Sequence, residues 1–268
     1  MAVHQSSLRS QLRRVPGVVP AHRLYRARTE VLDFQRGRMC DATFADRARL
    51  VGSFMRVTHA VACEHSEGEM LTIASAILRS AEEPGVVVEA GCYKGGSTAK
   101  LSKVVAKVGK QYYVFDSFEG IPFNDELHDK NIWGGPAGFN VGDYSGSLEE
   151  VCSNVAKYGD VSCCTFVKGW FSETLGSFNE PIAVAYLDVD LVSSTRECLE
   201  AFYPLLIEGG VIFSQDGHLP LVVDLLRDQM FWEGLRGCPA PIIDGLGTRK
   251  LVAIRKPEVG ASRTDRDR

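Results

Sequence analysis

GVVVEAGCYKGGS, running from Gly85 to Ser97, is the stretch whose reading decides the fold. Val86, Val87 and Val88 are β-branched and uninterrupted by polar residues, the pattern of a short strand buried on both faces. Gly91, Gly95 and Gly96 then allow a sharp turn, and a helix-compatible run from about Thr98 to Val108 follows, stopped by Gly109. This is a strand, loop, helix unit. Its helix would aim free N–H groups and a positive dipole end at a ligand in the turn, and Glu89 adds a carboxylate at the strand end. The glycines are spaced GxxxG and not GxGxxG, so a smaller nucleotide cofactor is indicated in place of a dinucleotide. A tight turn with no ligand would use the same glycines, so the flanking chain has to decide.

Upstream, Phe44, Ala48, Val51, Phe54, Met55 and Val61 recur at mostly helical spacing. Ser66 and Glu69 form a capping-box pattern, and Met70, Ile73, Ala74, Ile77 and Leu78 mark a second helix leading into the strand. Downstream, Tyr112 to Phe115 reads as a second strand ending in Asp116, placed to accept hydrogen bonds from ribose hydroxyls. Residues 117–146 form a long connection rich in glycine, read as a substrate lid. Ser147 with Glu150 caps a helix to about Tyr158, and Val161 to Val167 makes a third strand. Trp170 follows, suited either to packing on a purine or to a core beneath the loop.

A fourth strand, Ile182 to Leu187, gives way to Asp188 and Asp190, and Ser194 with Glu197 predicts the cap of the next helix. A fifth strand, Val211 to Ser214, ends in Gln215 and Asp216. Ligands of open α/β sheets bind at this edge. Asp188, Gln215 and Asp216 could converge on one hard divalent cation, since magnesium prefers oxygen donors, and they suit helix capping equally well. Pro220 opens a helix running to about Trp232, and Ile242 to Asp244 with Lys250 to Arg255 resembles a terminal hairpin.

Composition bounds the rest. A chain of 268 residues, 45% hydrophobic, suits one large α/β domain with additions. We divide it into an Arg-rich, helical or lid-forming N-terminal extension (1–43), a main domain (44–256, with the lid at 117–146) and a charged tail without periodicity (257–268). A net charge of -4, from 30 basic and 34 acidic residues, gives no basic footprint for nucleic acid and favours small-molecule chemistry. The eight cysteines include no CxxC pair and read as reduced thiols; Cys163 and Cys164 are placed in a buried strand. With no run of 18 apolar residues and no apolar h-region, the chain reads as soluble and cytoplasmic, away from any membrane.

EAGCYKGGS, FDSFEGIP (Phe115 to Pro122), YLDVDLVSST and EGGVIFSQD, in this order, resemble the motifs of the macrocin O-methyltransferase (TylF/MycF-type) family, over roughly Glu67 to Lys256. The resemblance implies a Rossmann-like, seven-stranded class I methyltransferase sheet with helices on both faces, and methyl transfer from S-adenosylmethionine (SAM) to a hydroxyl of a small natural product with Mg2+. It puts Glu89, Gly91, Tyr93 and Ser97 on cofactor positions, Asp116 on the ribose position with Ser117 beside it, Asp188 and Asp216 on metal ligands, and Asp190 on the general base. The departure is Gln215, where the family usually has a first of two adjacent aspartates; an amide offers a carbonyl oxygen and no charge, so metal would be held more weakly or not at all. His218 is a substitute base or ligand, or simply a helix N-terminal histidine. A homo-oligomer is compatible with all of this. The alternative is a SAM-binding protein without catalysis, its lid serving a partner.

Overall fold

The structure, a computed structural model, describes residues 27–235, 241 and 243–256. The leader before residue 27, Cys238, Ile242 and the tail from residue 257 lie outside the described residues. Seven strands form one sheet in the order β3-β2-β1-β4-β5-β7-β6: β1 (Val86–Ala90), β2 (Tyr112–Asp116), β3 (Cys164–Lys168), β4 (Ile182–Leu187), β5 (Leu206–Ser214), β6 (Ile243–Asp244) and β7 (Val252–Arg255). The first five run parallel, and β7 returns antiparallel to β5, closing the expected hairpin with β6. The chain winds from β1 outward to β3, then crosses back to β4, so the winding reverses between β1 and β4. That reversal leaves a crevice at the carboxyl ends of the central strands.

Helices cover both faces. On one lie α1 (Arg28–Gln35), α2 (Phe44–Ala60), α3 (Glu67–Arg79), α4 (Gly96–Lys107) and α5 (Leu148–Tyr158), closing a core of Phe34, Phe54, Met70, Leu71, Val104, Val155 and Tyr186. On the other, α7 (Val192–Leu205), α8 (Pro220–Arg227) and α9 (Gln229–Gly234) close a core of Leu199, Phe202, Leu226 and Trp232, with the one-turn α6 (Phe171–Thr174) at its margin. Every residue of β4 is buried, which explains its unbroken apolar run. Sequence punctuation acts as read at several helix ends: Ser66 and Glu69 complete a reciprocal capping box, Ser147 Oγ accepts from Glu150 N, and Pro220 stands in the first turn of α8.

The described part of the extension is helical over α1, whose Phe34 is fully buried in the main core. Three readings change. β3 starts at Cys164, after a 3-10 turn holding Cys163, and as an edge strand it is half-exposed and not buried. β5 begins at Leu206, because Gly209 and Gly210 bend within the strand instead of ending a helix. The helix from Pro220 breaks at Asp228, which is extended and caps α9 through Met230 N.

Candidate active site

At the crevice, Gly91 takes φ +81 and donates from its N–H to Phe115 O at 3.0 Å, while Asp188 N donates to Ala90 O at 2.9 Å. The two strand ends approach so closely that a Cβ on Gly91 would lie 2.0 Å from the Asp188 carbonyl oxygen. Gly95, also left-handed, caps α4. Asp116 holds the turn from the side: Oδ2 accepts from Cys92 N and Oδ1 from Phe118 N, both at 2.7 Å. Each oxygen retains a further lone pair for a ligand hydroxyl. Ser117 Oγ accepts from Glu119 N, and the Tyr93 ring stands edge-on to Tyr144 at 5.7 Å.

Gly91, Tyr93, Ser97, Asp116, Ser117, Trp170, Asp188 and Asp190 share the wall of one cavity of about 450 Å3. That lies within the range of small-molecule sites, roughly 300–1,000 Å3. Trp170 sits at the start of α6 and faces this cavity, not the core. Glu89, Gln215 and Asp216, each fully buried, stand behind the residues that line the cavity. Glu89 is fully buried and accepts from Thr98 Oγ1 and Tyr112 Oη at 2.7 Å, tying β1 to α4 and β2. Its side chain points to the face that carries α4 because side chains alternate along β1, and burial pushes its pKa up to about 7 despite these donors. Gln215, also fully buried, accepts from Tyr186 Oη at 3.4 Å through Oε1, while its Nε2 is buried with no partner among the described residues.

Asp188, Asp190 and Asp216 each bring a carboxylate oxygen within 4.8 Å of the others'. Asp216 Oδ2 accepts from the N–H groups of Val189 (3.1 Å) and Asp190 (3.0 Å), and these bonds fold the β4 loop over β5. Its Oδ1 is buried without a partner among the described residues. Asp190 is left-handed at φ +61, a conformation few residues other than Gly, Asn and Asp adopt readily. Burial, then Asp188, raise Asp216 to about 7; burial, then Asp216 and Asp188, hold Asp190 well above the carboxylate range. Asp188 goes the other way. Burial opposes its charge, but His65, Lys250 and the Tyr186 hydroxyl (3.2 Å) keep its pKa low. His65 Nδ1 lies 3.8 Å from Asp188 Oδ2, an ion-pair separation too long for a hydrogen bond. Burial opposes the imidazolium, but Asp188 pushes His65 up to about 9. An all-oxygen cluster of crowded like charges, with one buried oxygen unpartnered, fits a hard divalent cation.

The 117–146 connection lies over this site. Gly120, Ile121, Pro122, Phe123, Phe139 and Tyr144 line the cavity from its side. Ile132 N donates to His218 O at 2.9 Å, and Trp133 stacks on the His218 ring. Burial, then Lys250, lowers His218 to about 4, so it is a neutral ring at pH 7. The second anchor corrects the predicted cap of α7: Ser194 does not cap it. Glu126 of the 117–146 connection does, accepting from Val192 N (2.7 Å) and Ser193 N (2.8 Å) just beyond Asp190. His128 Nε2 bonds the same carboxylate at 2.9 Å. Replacing Glu126 by Ala is expected to cost about 0.5–2 kcal/mol, as other lost N-caps do. It should also speed proteolysis within 117–146; urea unfolding and limited digestion measure the two.

The sequence profile of the macrocin-O-methyltransferase (TylF) family matches residues 43–242. The chain belongs to this family. It is 33% identical over 181 residues to the 8-demethyl-8-(2,3-dimethoxy-alpha-L-rhamnosyl)-tetracenomycin-C 4'-O-methyltransferase of Streptomyces olivaceus, covering 61% of this chain and 64% of that protein. It is 29% identical over 148 residues to the demethyldecarbamoylnovobiocin O-methyltransferase of Streptomyces niveus, covering 50% of this chain and 53% of that one. The chain thus spans between half and two-thirds of these relatives' lengths. The structure of the O-methyltransferase NovP superposes with a TM-score of 0.57 at 24% identity, over 70% of this chain and 79% of NovP. The fold is accordingly the Rossmann-like class I methyltransferase fold.

In this member of the macrocin-O-methyltransferase family, the pattern of acids and glycines led to most of the cavity wall. It missed His65, Glu126, Tyr144 and Lys250, all of which line the cavity or cap its edge. His65 precedes a capping box and Lys250 follows Arg249 in a hairpin, so each reads locally as ordinary surface. No helix among the described residues is long and apolar enough to cross a membrane.

Proposed function

We propose that the protein is a SAM-dependent O-methyltransferase acting on a hydroxyl of a small natural product. The observation that carries this is the carboxylate cluster of Asp188, Asp190 and Asp216 at the edge of a nucleoside-sized cavity built on the Gly91 turn. The likeness to a relative named for 4'-O-methylation of a rhamnosyl tetracenomycin favours a sugar hydroxyl as acceptor. When bound, SAM supplies an electrophilic methyl group on a sulfonium. Asp116 would receive the ribose hydroxyls, the Gly91, Tyr93 and Ser97 turn would seat the amino-acid end, and Trp170 would cover the base. Glu89 serves this seat from behind by fixing the start of α4.

Asp190 is the general base. Its pKa, pushed up by burial and by Asp216 and Asp188, suits a carboxylate that takes the acceptor's proton as the methyl group arrives. Asp188 and Asp216 would hold a magnesium ion, whose charge would stabilise a developing alkoxide. Gln215 belongs to the support of the site through Tyr186, outside the ligand set. The lid, held at His218 and at α7, excludes water and orients the acceptor. The described cysteines are all free, in keeping with a cytoplasmic enzyme. The purified protein, given methyl-labelled SAM and a panel of glycosylated aromatic natural products, is expected to transfer label to a sugar oxygen located by mass spectrometry. Tight SAM binding with no transfer to any sugar, phenol or polyol hydroxyl would favour the inert SAM-binding protein.

A further inference from the structure

The cluster is not simply acidic. Asp188, Asp190 and Asp216 face two cations that the chain itself supplies, His65 at 3.8 Å from Asp188 and Lys250. Lys250 lines the same cavity, and its carbonyl oxygen accepts from Gly217 N at 3.0 Å, one residue beyond Asp216. The packing there is tight: a Cβ on Gly217 would meet Val252 at 2.2 Å and the Lys250 carbonyl oxygen at 3.1 Å. The segment before β7 is therefore fixed against the loop that carries Asp216. Lys250 thereby shares one cavity wall with Asp188, Asp190, Tyr144 and His218. Burial opposes the ammonium's charge, and Asp188, Glu69, Asp216 and Asp190 raise its pKa.

The second observation is Gln215. Its neutral amide, bonded by Tyr186 Oη at 3.4 Å, adds no negative charge beside Asp216. We propose that Lys250 is a resident counter-cation of the carboxylate cluster, and that with Gln215 it lowers the affinity of the site for a divalent ion by taking over part of the neutralisation. This rests on the reading of Asp188 and Asp216 as the metal-binding carboxylates. Lys250 acts through the cluster and is a positioning residue in that sense. It stabilises negative charge at the Asp188 and Asp216 oxygens whether or not an ion is present.

The test reads metal binding directly, with Mn2+ alone as the probe, by electron paramagnetic resonance and calorimetry on the full chain. Lys250→Met is expected to bind Mn2+ at least about tenfold more tightly than the wild type, because a fixed like charge in a partly buried site is only weakly screened. Lys250→Arg keeps the charge and should stay near the wild-type affinity, and Gln215→Asp should tighten binding as Lys250→Met does. Urea unfolding, measured on every variant, reports that the fold is intact, and Lys250→Gln replaces the Met variant if that one does not fold. Equal or weaker Mn2+ binding by folded Lys250→Met or Lys250→Gln overturns the proposal while leaving the metal site itself standing. Tight binding that survives Asp188→Asn combined with Asp216→Asn places the ion elsewhere, and the underlying reading then fails.

Discussion

Asp190→Asn is expected to lower kcat by about 10²–10⁴, the usual contribution of a positioned general base, while SAM affinity stays at its wild-type value. The substitution is conservative for the backbone. Asp190 is left-handed at φ +61, and asparagine tolerates that region as well as aspartate does. The two N–H groups that hold the loop to Asp216 belong to the main chain and are untouched. Only the capacity to accept a proton is removed. The same change relieves crowding, since Asp190 is pressed by Asp216 and Asp188 in a buried setting. The variant should therefore melt at a higher temperature than the wild type in the absence of metal, the exchange of activity for stability expected where a site holds like charges together. Full turnover with an acceptor that the wild type methylates would remove Asp190 from the mechanism. A loss of kcat together with a fall in melting temperature would mean that the residue serves the loop and not the proton.

The sequence displayed the parts of this site that follow from local rules and concealed those that follow from packing. Gly91, Asp116, Asp188 and Asp216 were legible because each ends a strand, and strand ends on one sheet edge must meet. The strands themselves were legible in proportion to their burial: β4 was read to the residue, while β5 and β3, exposed at an end or along an edge, were misplaced by several residues. That Glu89 and Gln215 stand off the cavity lining was not legible for one reason. Strand periodicity tells which face a side chain takes only once the neighbouring layers are known, and here that face is covered by helices. Glu126 was invisible for another. It caps α7 from 66 residues away, and the apparent local cap at Ser194 was a competing signal that the loop overrode. Lys250 had no signal, since its partners come from β4, β5 and α3 and only the closed sheet brings them to it.

Gly91→Ala is expected to damage stability and cofactor binding together. At φ +81 an L-residue carries a penalty of roughly 1–2 kcal/mol, and forcing atoms into a closed contact adds roughly 1–3 kcal/mol. The contact here is with backbone: the new Cβ would stand 2.0 Å from the Asp188 carbonyl oxygen, which has no rotamer through which to retreat. Relief requires the ends of β1 and β4 to separate, against the bond from Asp188 N to Ala90 O. That separation moves the glycine turn away from Asp116 and shifts Asp188 relative to Asp216. A loss of roughly 2–5 kcal/mol in urea unfolding should therefore accompany at least about a tenfold weakening of SAM binding, the equivalent of only about 1.4 kcal/mol. Gly109→Ala supplies the comparison. Gly109 is left-handed too, at φ +68, but a Cβ there meets nothing within 4 Å, so that variant should lose only the roughly 1–2 kcal/mol of backbone strain and bind SAM as the wild type does. If the two variants unfold alike and bind SAM alike, the close approach of the turn to Asp188 is not what holds the cofactor seat against the carboxylate cluster.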